Sequence, residues 1–410
     1  MNKNLKSAWL IWSIPASFFS LVFIIRILPS FVMQDIISFY NINYAQFSLL
    51  PAFYYAGYSL MQIPTGILLT KFKNSTIIPC LMIVVAIGTF LISVTDTFFI
   101  SCLASFIIGA GSAVGIVGSS SIIKAKFDEQ SYGFIFGLTL TFGLVAASYA
   151  GKIINTGLYY FNWHQLYSVI SVIIIAYALL AFLTNREQHQ QNDILPDFSN
   201  QSARSLLKKV LKNKPLVTIT IFSGLMTLPM QGFADVWGIE FLITKFNLTK
   251  TEAIFANSFV FLGMGLGSPI VGILAQKYKK LLSGIILCGI TMLTCFIILL
   301  LPININQKSI TILLLLIGVG SSFPTLTFTF IIENIEPNIS RVAIGFSNMV
   351  LMICGSISHP IIGSTYDIAI RNTDKLSAYI ITMSLIPLGL CIGILGLIYY
   401  LKYKHSNKFV

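Results

Sequence analysis

Charge is what this sequence has least of: Asp, Glu, Lys and Arg make up 10% of its 410 residues, against about 25% in an ordinary globular domain. A soluble protein so poor in charge would lack the polar surface that keeps it in solution. Acids are scarcer than bases, 14 against 26, for a net charge of +12. That balance invites a nucleic-acid reading, but no long basic run with interleaved aromatics occurs. The bases stand in short clusters between apolar stretches, where they meet lipid headgroups and fix topology. Cysteine is sparse as well. Cys80, Cys102, Cys288, Cys295, Cys354 and Cys391 all fall inside apolar segments without metal-ligand spacing, which reads as small buried hydrophobes rather than ligands or disulfides. No hydrolase-like cluster or metal constellation is present, and Gly109-Ala-Gly111 lies inside an apolar run, so it is no dinucleotide fingerprint. Neither an enzyme nor a cofactor is expected.

What is abundant is apolar length. Hydrophobic residues are 56% of the chain, and stretches of about 18 or more recur throughout, the signature of membrane-spanning helices. Twelve spans are expected, at 8–37, 45–69, 76–95, 98–122, 131–154, 164–184, 216–243, 251–275, 281–301, 309–332, 342–366 and 377–401. Lys3 and Lys6 before the first run resemble a signal peptide. That run continues too far and lacks a cleavage site before Tyr40, so it reads as a retained span. Connections are short except 185–214, which is polar and carries Pro196, Arg204, Lys208, Lys209, Lys212 and Lys214. It divides the chain into a bundle at 1–184, a cytoplasmic loop at 185–214 and a second bundle at 215–410. Lys and Arg fall nineteen to one side of the spans and six to the other, with Arg26 inside span 1. The positive-inside rule then places both termini and the central loop in the cytoplasm of a bacterial inner membrane.

The chain also repeats itself. Between spans 2 and 3 it reads Gly66-Ile-Leu-Leu-Thr70-Lys71-Phe72-Lys73, and between spans 8 and 9 Gly272-Ile-Leu-Ala-Gln276-Lys277-Tyr278-Lys279-Lys280. In each, a Gly is followed five and seven places later by Lys, and the two glycines are 206 residues apart. A parallel duplication of six helices fits this spacing, and the major facilitator superfamily is the standard example of such repeats. The loops resemble that family's signature of Gly, three residues, Asp and basic residues. Gly would permit close helix packing, with Lys71 and Lys277 capping helix ends and making breakable gate contacts. Thr70 and Gln276 stand where the family's acid is expected, which puts the acid-mediated gate relay in doubt. Span 4 supplies Gly109, Gly111, Gly115 and Gly118 like the family's glycine-rich fourth span, with Ser105 at its Arg position. Asn162-Trp163-His164 is similar to its Gly-Trp-Arg lead into span 6. Arg26-Ile-Leu-Pro29-Ser30-Phe-Val-Met33 with Tyr58-Ser-Leu-Met61-Gln62-Ile-Pro64-Thr-Gly66 resembles bacterial members grouped with the lysosomal dipeptide transporter branch, implying dipeptide or amino-acid cargo. The fold implied is an all-α membrane protein of two six-helix bundles, a monomer, with a central cavity and alternating access.

A charge at mid-membrane costs about 2.5–3.5 kcal/mol on insertion scales and needs a reason. Arg26 lies 17 residues beyond Trp9, about 26 Å along a helix. It either captures a carboxylate or phosphate or is a structural Arg, paired or snorkelling. Shifting Arg26 by 206 lands on Gly232 of span 7, within a turn of Asp235, and the resemblance implies that spans 1 and 7 face each other across the pore, which makes Asp235 a candidate partner. Thr220, Gly224, Thr227, Gln231 and Asp235 follow helical spacing as one polar stripe, with Glu240 turned away toward headgroups or loops. Tyr54, Tyr55, Tyr58 and Gln62 on span 2 suit an amphipathic ligand or anchor at the interface. Asn348, Gly355 and His359 share a stripe of span 11 that Pro360 should kink. His359 is a proton shuttle or a packing histidine. Asp35, Glu333, Glu336 and Arg341 read as solvated. The expected function is transport of a small polar solute (dipeptide, amino acid or organic anion) by proton symport or uniport. Drug or siderophore export is the rival, disfavoured because span 5 lacks the antiporters' Gly-Pro pair. A non-transporting receptor or assembly factor would normally bring a soluble domain.

Overall fold

The computed structural model describes residues 3–186, 203–278 and 280–406. These are helical almost throughout, because a chain crossing lipid must satisfy every backbone N–H and C=O within its own segment. Eleven of the described helices are long and apolar enough to cross a membrane. The remaining span, Leu49–Lys71, has the length at 23 residues but dilutes its apolar run with Tyr54, Tyr55, Tyr58, Gln62 and Pro64. The polarity that weakens it as a span is what fits it for a site. Cys80 departs from the expected burial: it is exposed, while Cys102, Cys288 and Cys295 are buried.

The chain divides into two units. The first takes span 1 up to Leu28 and the chain from Phe53, and the second takes Pro29–Ala52 and the chain from Arg204. Span 1 is Lys3–Phe31, which starts earlier than the expected 8–37 and ends six residues before it. Val32 (φ −123°, ψ 24°) breaks the helix, and a separate one follows at Met33–Tyr40. Within the second unit, Pro29–Ala52 is held from several sides. Both Asp367 carboxylate oxygens accept from the first turn of Tyr44–Phe47, Ala45 N at 2.7 Å and Tyr44 N at 3.3 Å. Ser356 Oγ donates to the Ala52 carbonyl at 2.9 Å, and Lys250 Nζ to that of Phe31 at 2.9 Å. The Tyr44 ring lies 4.5 Å from Tyr366 and 6.0 Å from Trp237.

The duplication is visible at matching turns of the two sequence halves. Among the described residues, the non-glycine positions with positive φ are Asn41 (50°) and Asn247 (52°), again 206 apart. Each ends a helix in the left-handed conformation that Asn tolerates. Two residues on, Asn43 and Gln46 form a capping box, Gln46 N donating to Asn43 Oδ1 at 2.8 Å and Asn43 N to Gln46 Oε1 at 3.0 Å. Thr249 and Glu252 repeat it at the same offset, with Thr249 N donating to Glu252 Oε2 at 2.9 Å and Glu252 N to Thr249 Oγ1 at 3.3 Å.

The repeated packing contact is made by glycines of spans 2 and 4 and of their counterparts. A Cβ on Gly57 would strike the Phe106 carbonyl, and one on Gly109 the Tyr54 carbonyl. In the second unit Gly263 meets the Leu315 carbonyl and Gly318 the Val260 carbonyl. Such backbone-to-backbone approach is the usual basis of helix association in lipid. Spans 4 and 10 also break at matching places, after Ser112 and after Gly320.

Candidate substrate site

Span 1 carries Arg26 between Leu21-Val-Phe-Ile-Ile25 and Ile27-Leu-Pro29, with no other charged residue after Lys6. Gly143 of span 5 makes room for Phe19 and Phe23: a Cβ there would lie 2.8 Å from a ring carbon of each. Phe23 in turn seats the guanidinium, whose Cζ stands 4.2 Å over its ring centroid and 5.9 Å from that of Tyr55. Contacts of this kind are worth about 0.5–2 kcal/mol, rising with desolvation, and offset part of the cost of placing the charge in a span. Trp12 ties span 1 to span 5 one turn deeper, its Nε1 donating to Thr139 Oγ1 at 3.1 Å.

Span 2 brings the polar groups to the same place. The Gly57–Gly109 contact fixes its rotation against span 4. At 100° per residue, Tyr54, Tyr55, Tyr58 and Gln62 then fall within about 100° of one another, away from that contact. All four are buried. Tyr54 and Tyr58 stack at 6.2 Å with 19° between planes, and Tyr55 stands edge-on to Tyr54 at 5.7 Å. Tyr58 lies near Gln62 and within electrostatic reach of Arg26. Arg26 and the set Tyr54, Tyr55, Tyr58 and Gln62 named on span 2 are thus linked in the first unit, with Tyr55 nearest the guanidinium and Phe23 beneath it. The sequence offers Phe23 only as one more apolar residue, although its spacing of three before Arg26 is the helical-neighbour signal.

In the second unit, span 7 is not one α-helix. Lys214–Leu225 is α-helical, Pro229–Trp237 is a π-helix and Gly238–Phe246 is α-helical again. Gln231 and Asp235 sit in the π segment, so the α-periodic stripe expected through them ends at Thr227. Long π segments are rare and concentrate at functional sites. The stripe that remains faces span 11. Thr220 Oγ1 donates to Ser347 Oγ at 3.4 Å, Gln231 Nε2 to the Leu351 carbonyl at 3.3 Å, and Thr227 Oγ1 to Gln231 Oε1 at 3.2 Å. Asn257 of span 8 supports the π segment, its Nδ2 donating to the Ala234 carbonyl at 2.8 Å. Asp235 and His359 are fully buried and Asn348 half-buried. Span 11 runs unbroken from Pro337 to Asn372 through Pro360. Glu240 is half-buried and lies within electrostatic reach of Tyr366 and Tyr379. Arg26 and Asp235 belong to different units, and their pairing is taken up below as a proposal.

The loop residues are placed differently from the packing expectation. A Cβ on Gly66 would meet nothing within 4 Å, and one on Gly272 only the Thr325 methyl at 3.7 Å. Close helix approach is made by Gly57, Gly109, Gly263 and Gly318 instead. Lys71 and Lys277 are exposed, the latter with Nζ 5.7 Å over the Tyr278 ring.

Eleven described helices long and apolar enough to cross a membrane, with Leu49–Lys71 of matching length beside them and a repeat at 206 residues, define a multi-pass membrane protein. The sequence pattern of the Major Facilitator Superfamily matches residues 13–359, and the chain belongs to that family. It is 22% identical over 276 residues to the nitrite extrusion protein of Bacillus subtilis (strain 168), covering 65% of this chain and 67% of that one. Among solved structures it resembles an inward-facing bacterial homolog of the human lysosomal transporter Spinster, with TM-score 0.74 at 15% identity over 98% and 99% of the two chains. The nucleoside transporter NupG follows at 0.71 and 14% over 98% and 99%. The fucose:proton symporter of E. coli stands at 0.62 and 17% over 97% and 99%.

Proposed function

We propose that this protein carries a small anion across a bacterial inner membrane by alternating access. Arg26 takes the negative group, and Tyr54, Tyr58 and Gln62 read the rest of the solute. The observation that carries this reading is the Arg26 group itself: a guanidinium placed within a span, set against Phe23 and Tyr55 and within electrostatic reach of Tyr58. Such a cation needs a reason, and bidentate capture of a carboxylate supplies one. Amino acids, dipeptides and organic anions are the first solutes to test, in keeping with the dipeptide-branch resemblance of Arg26–Met33 and Tyr58–Gly66. Both termini lie in the cytoplasm in this reading, and the working unit is a monomer.

A second reading keeps the site and changes the cargo. The Bacillus subtilis relative is named for nitrite extrusion, which favours an inorganic anion and outward transport. Asp235 and His359, buried in spans 7 and 11, are the groups for proton coupling under either reading. Uptake and efflux by proteoliposomes, against a panel of amino acids, dipeptides, organic anions, nitrite, sugars and nucleosides, decides between them. Arg26→Gln should abolish transport of the preferred anion, with Arg26→Lys retaining part of it. A neutral solute carried as well as any anion, or full activity in Arg26→Gln, would overturn the proposal.

A further inference from the structure

The segment joining the two halves contains a helix that the transport reading does not use, Ala203–Lys212. Its sequence, Ala203-Arg-Ser-Leu-Leu-Lys-Lys-Val-Leu-Lys212, is basic and amphipathic, and no acid stands between Asp197 and Asp235. Its apolar side is already occupied. Val210 is buried in a cluster with Leu216, Ile331, Ala343 and Phe346, and Leu207 packs against it. Leu216 opens span 7, Ile331 lies near the end of span 10, and Ala343 and Phe346 lie near the start of span 11. The helix is therefore seated on span ends, where the bilayer meets water. Asn213 alone separates it from span 7, whose first turn it caps by accepting from Leu216 N at 3.1 Å.

A second row of side chains is left outward. Lys208, Leu211, Lys212 and Lys214 are exposed, Leu211 by 53%. At 100° per residue Lys208, Leu211 and Lys212 fall on one stripe of the helix. A leucine between two lysines at the level of the span ends is the pattern of an interfacial helix: the apolar side chain enters the acyl boundary and the lysines reach headgroups. Clusters of bases beside a span attract anionic lipid specifically.

We propose that this helix is a docking surface for anionic phospholipid, with Lys208, Lys212 and Lys214 holding the headgroup phosphates and Leu211 entering the acyl region. A lysine near an anionic surface is worth about fivefold in affinity, so removing three should weaken binding about a hundredfold. The full-length protein in mixed micelles is titrated with dioleoylphosphatidylglycerol or dioleoylphosphatidylcholine, and the unfolding midpoint is read at each mole fraction. Phosphatidylglycerol should raise the midpoint, less so as salt increases. Lys208→Gln/Lys212→Gln/Lys214→Gln should need about a hundredfold more of it, whereas the corresponding triple Arg variant should match the native chain. Leu211→Ser, which leaves the buried face intact, should weaken the response without changing its salt dependence. Equal response to phosphatidylcholine, an unchanged response in the Gln variant, loss in the Arg variant, or a full response to glycerol 3-phosphate alone would each overturn the proposal. The last outcome would make this a site for soluble phosphate rather than lipid.

Discussion

Replacing Gly57 and Gly66 by alanine, nine residues apart on one helix, should change stability in opposite directions. A helical Gly→Ala exchange gains about 0.5–1 kcal/mol where the new methyl has room. At Gly66 it has room, since nothing lies within 4 Å of the added Cβ. At Gly57 the methyl meets the Phe106 carbonyl oxygen, with Ala110 N at 3.0 Å. Both are main-chain atoms of span 4, which cannot rotate away as a side chain could. Overpacking of this kind costs about 1–3 kcal/mol, so the gain in helix propensity is outweighed. For units of this size about 1 kcal/mol corresponds to 2–4 °C. Gly57→Ala should therefore lower the unfolding midpoint by a few degrees, and Gly66→Ala should leave it level or raise it slightly. The repeat doubles the test. Gly263→Ala should behave like Gly57→Ala, and Gly272→Ala, whose nearest neighbour is the Thr325 methyl at 3.7 Å, like Gly66→Ala. Midpoints of the four purified variants, by intrinsic fluorescence, are sufficient. Destabilisation by Gly66→Ala equal to that of Gly57→Ala would refute the assignment of close packing to the Gly57 level.

If Arg26 and Asp235 form a pair, Arg26→Gln and Asp235→Asn should each lose protein abundance, since breaking a buried pair costs about 3–5 kcal/mol, and the double variant should recover it. Additive losses would show the residues to be independent. Gly66→Leu and Gly272→Leu should slow transport in proteoliposomes with abundance near normal if these loops close in the cycle, and full rates would remove them from the gate. Asp367→Ala removes both acceptors from Tyr44–Phe47 and should cost about 1–3 kcal/mol, read as a lower midpoint that Asp367→Asn partly restores. Asp374 accepts from the Ser377 hydroxyl and from the Ser377 and Leu376 amides, which hold its carboxyl below the usual carboxylate range. Its stabilisation is complete above the unfolded-state pKa and is lost as pH falls through the lower folded value. Asp374→Asn should flatten that acid limb of the stability curve, and an identical limb would refute the reasoning. Reporter fusions after Lys209 and at the C-terminus should both report cytoplasm, and a periplasmic signal at either would reverse the orientation.

The parts of this molecule that follow from transfer free energy were open to reading, and those that follow from local backbone choice were not. Apolar length alone locates the spans, because lipid imposes one solution on the backbone. Span 2 marks itself as different through Tyr54, Tyr55, Tyr58 and Gln62, of which Tyr55 and Tyr58 lie within reach of Arg26. Periodicity could not see that Phe23 carries the guanidinium, since an aromatic ring in a span is ordinary until a cation is found over its face. The stripe through Gln231 and Asp235 was drawn at 3.6 residues per turn, and it ends where Pro229 opens a π-helix. Propensity says nothing about i→i+5 pairing, which depends on tertiary partners such as the Asn257 amide on the Ala234 carbonyl. The duplication could have been read further than its glycine loops. Asn41 and Asn247 are identical at the 206-residue offset, and Asn43–Gln46 and Thr249–Glu252 match by capping class though not by residue. Comparing cap-forming types at a fixed offset, rather than identities, recovers the repeat where helices turn. Two halves that retain the same turn and the same glycine contact yet differ at Tyr54 and Val260, one turn before Gly57 and Gly263, have kept their scaffold and divided their chemistry. Span 2 presents Tyr54 where span 8 presents Val260, while Tyr55 and its counterpart Phe261 are both aromatic, so under the proposed anion-carrier reading the tyrosine hydroxyls come from the first half.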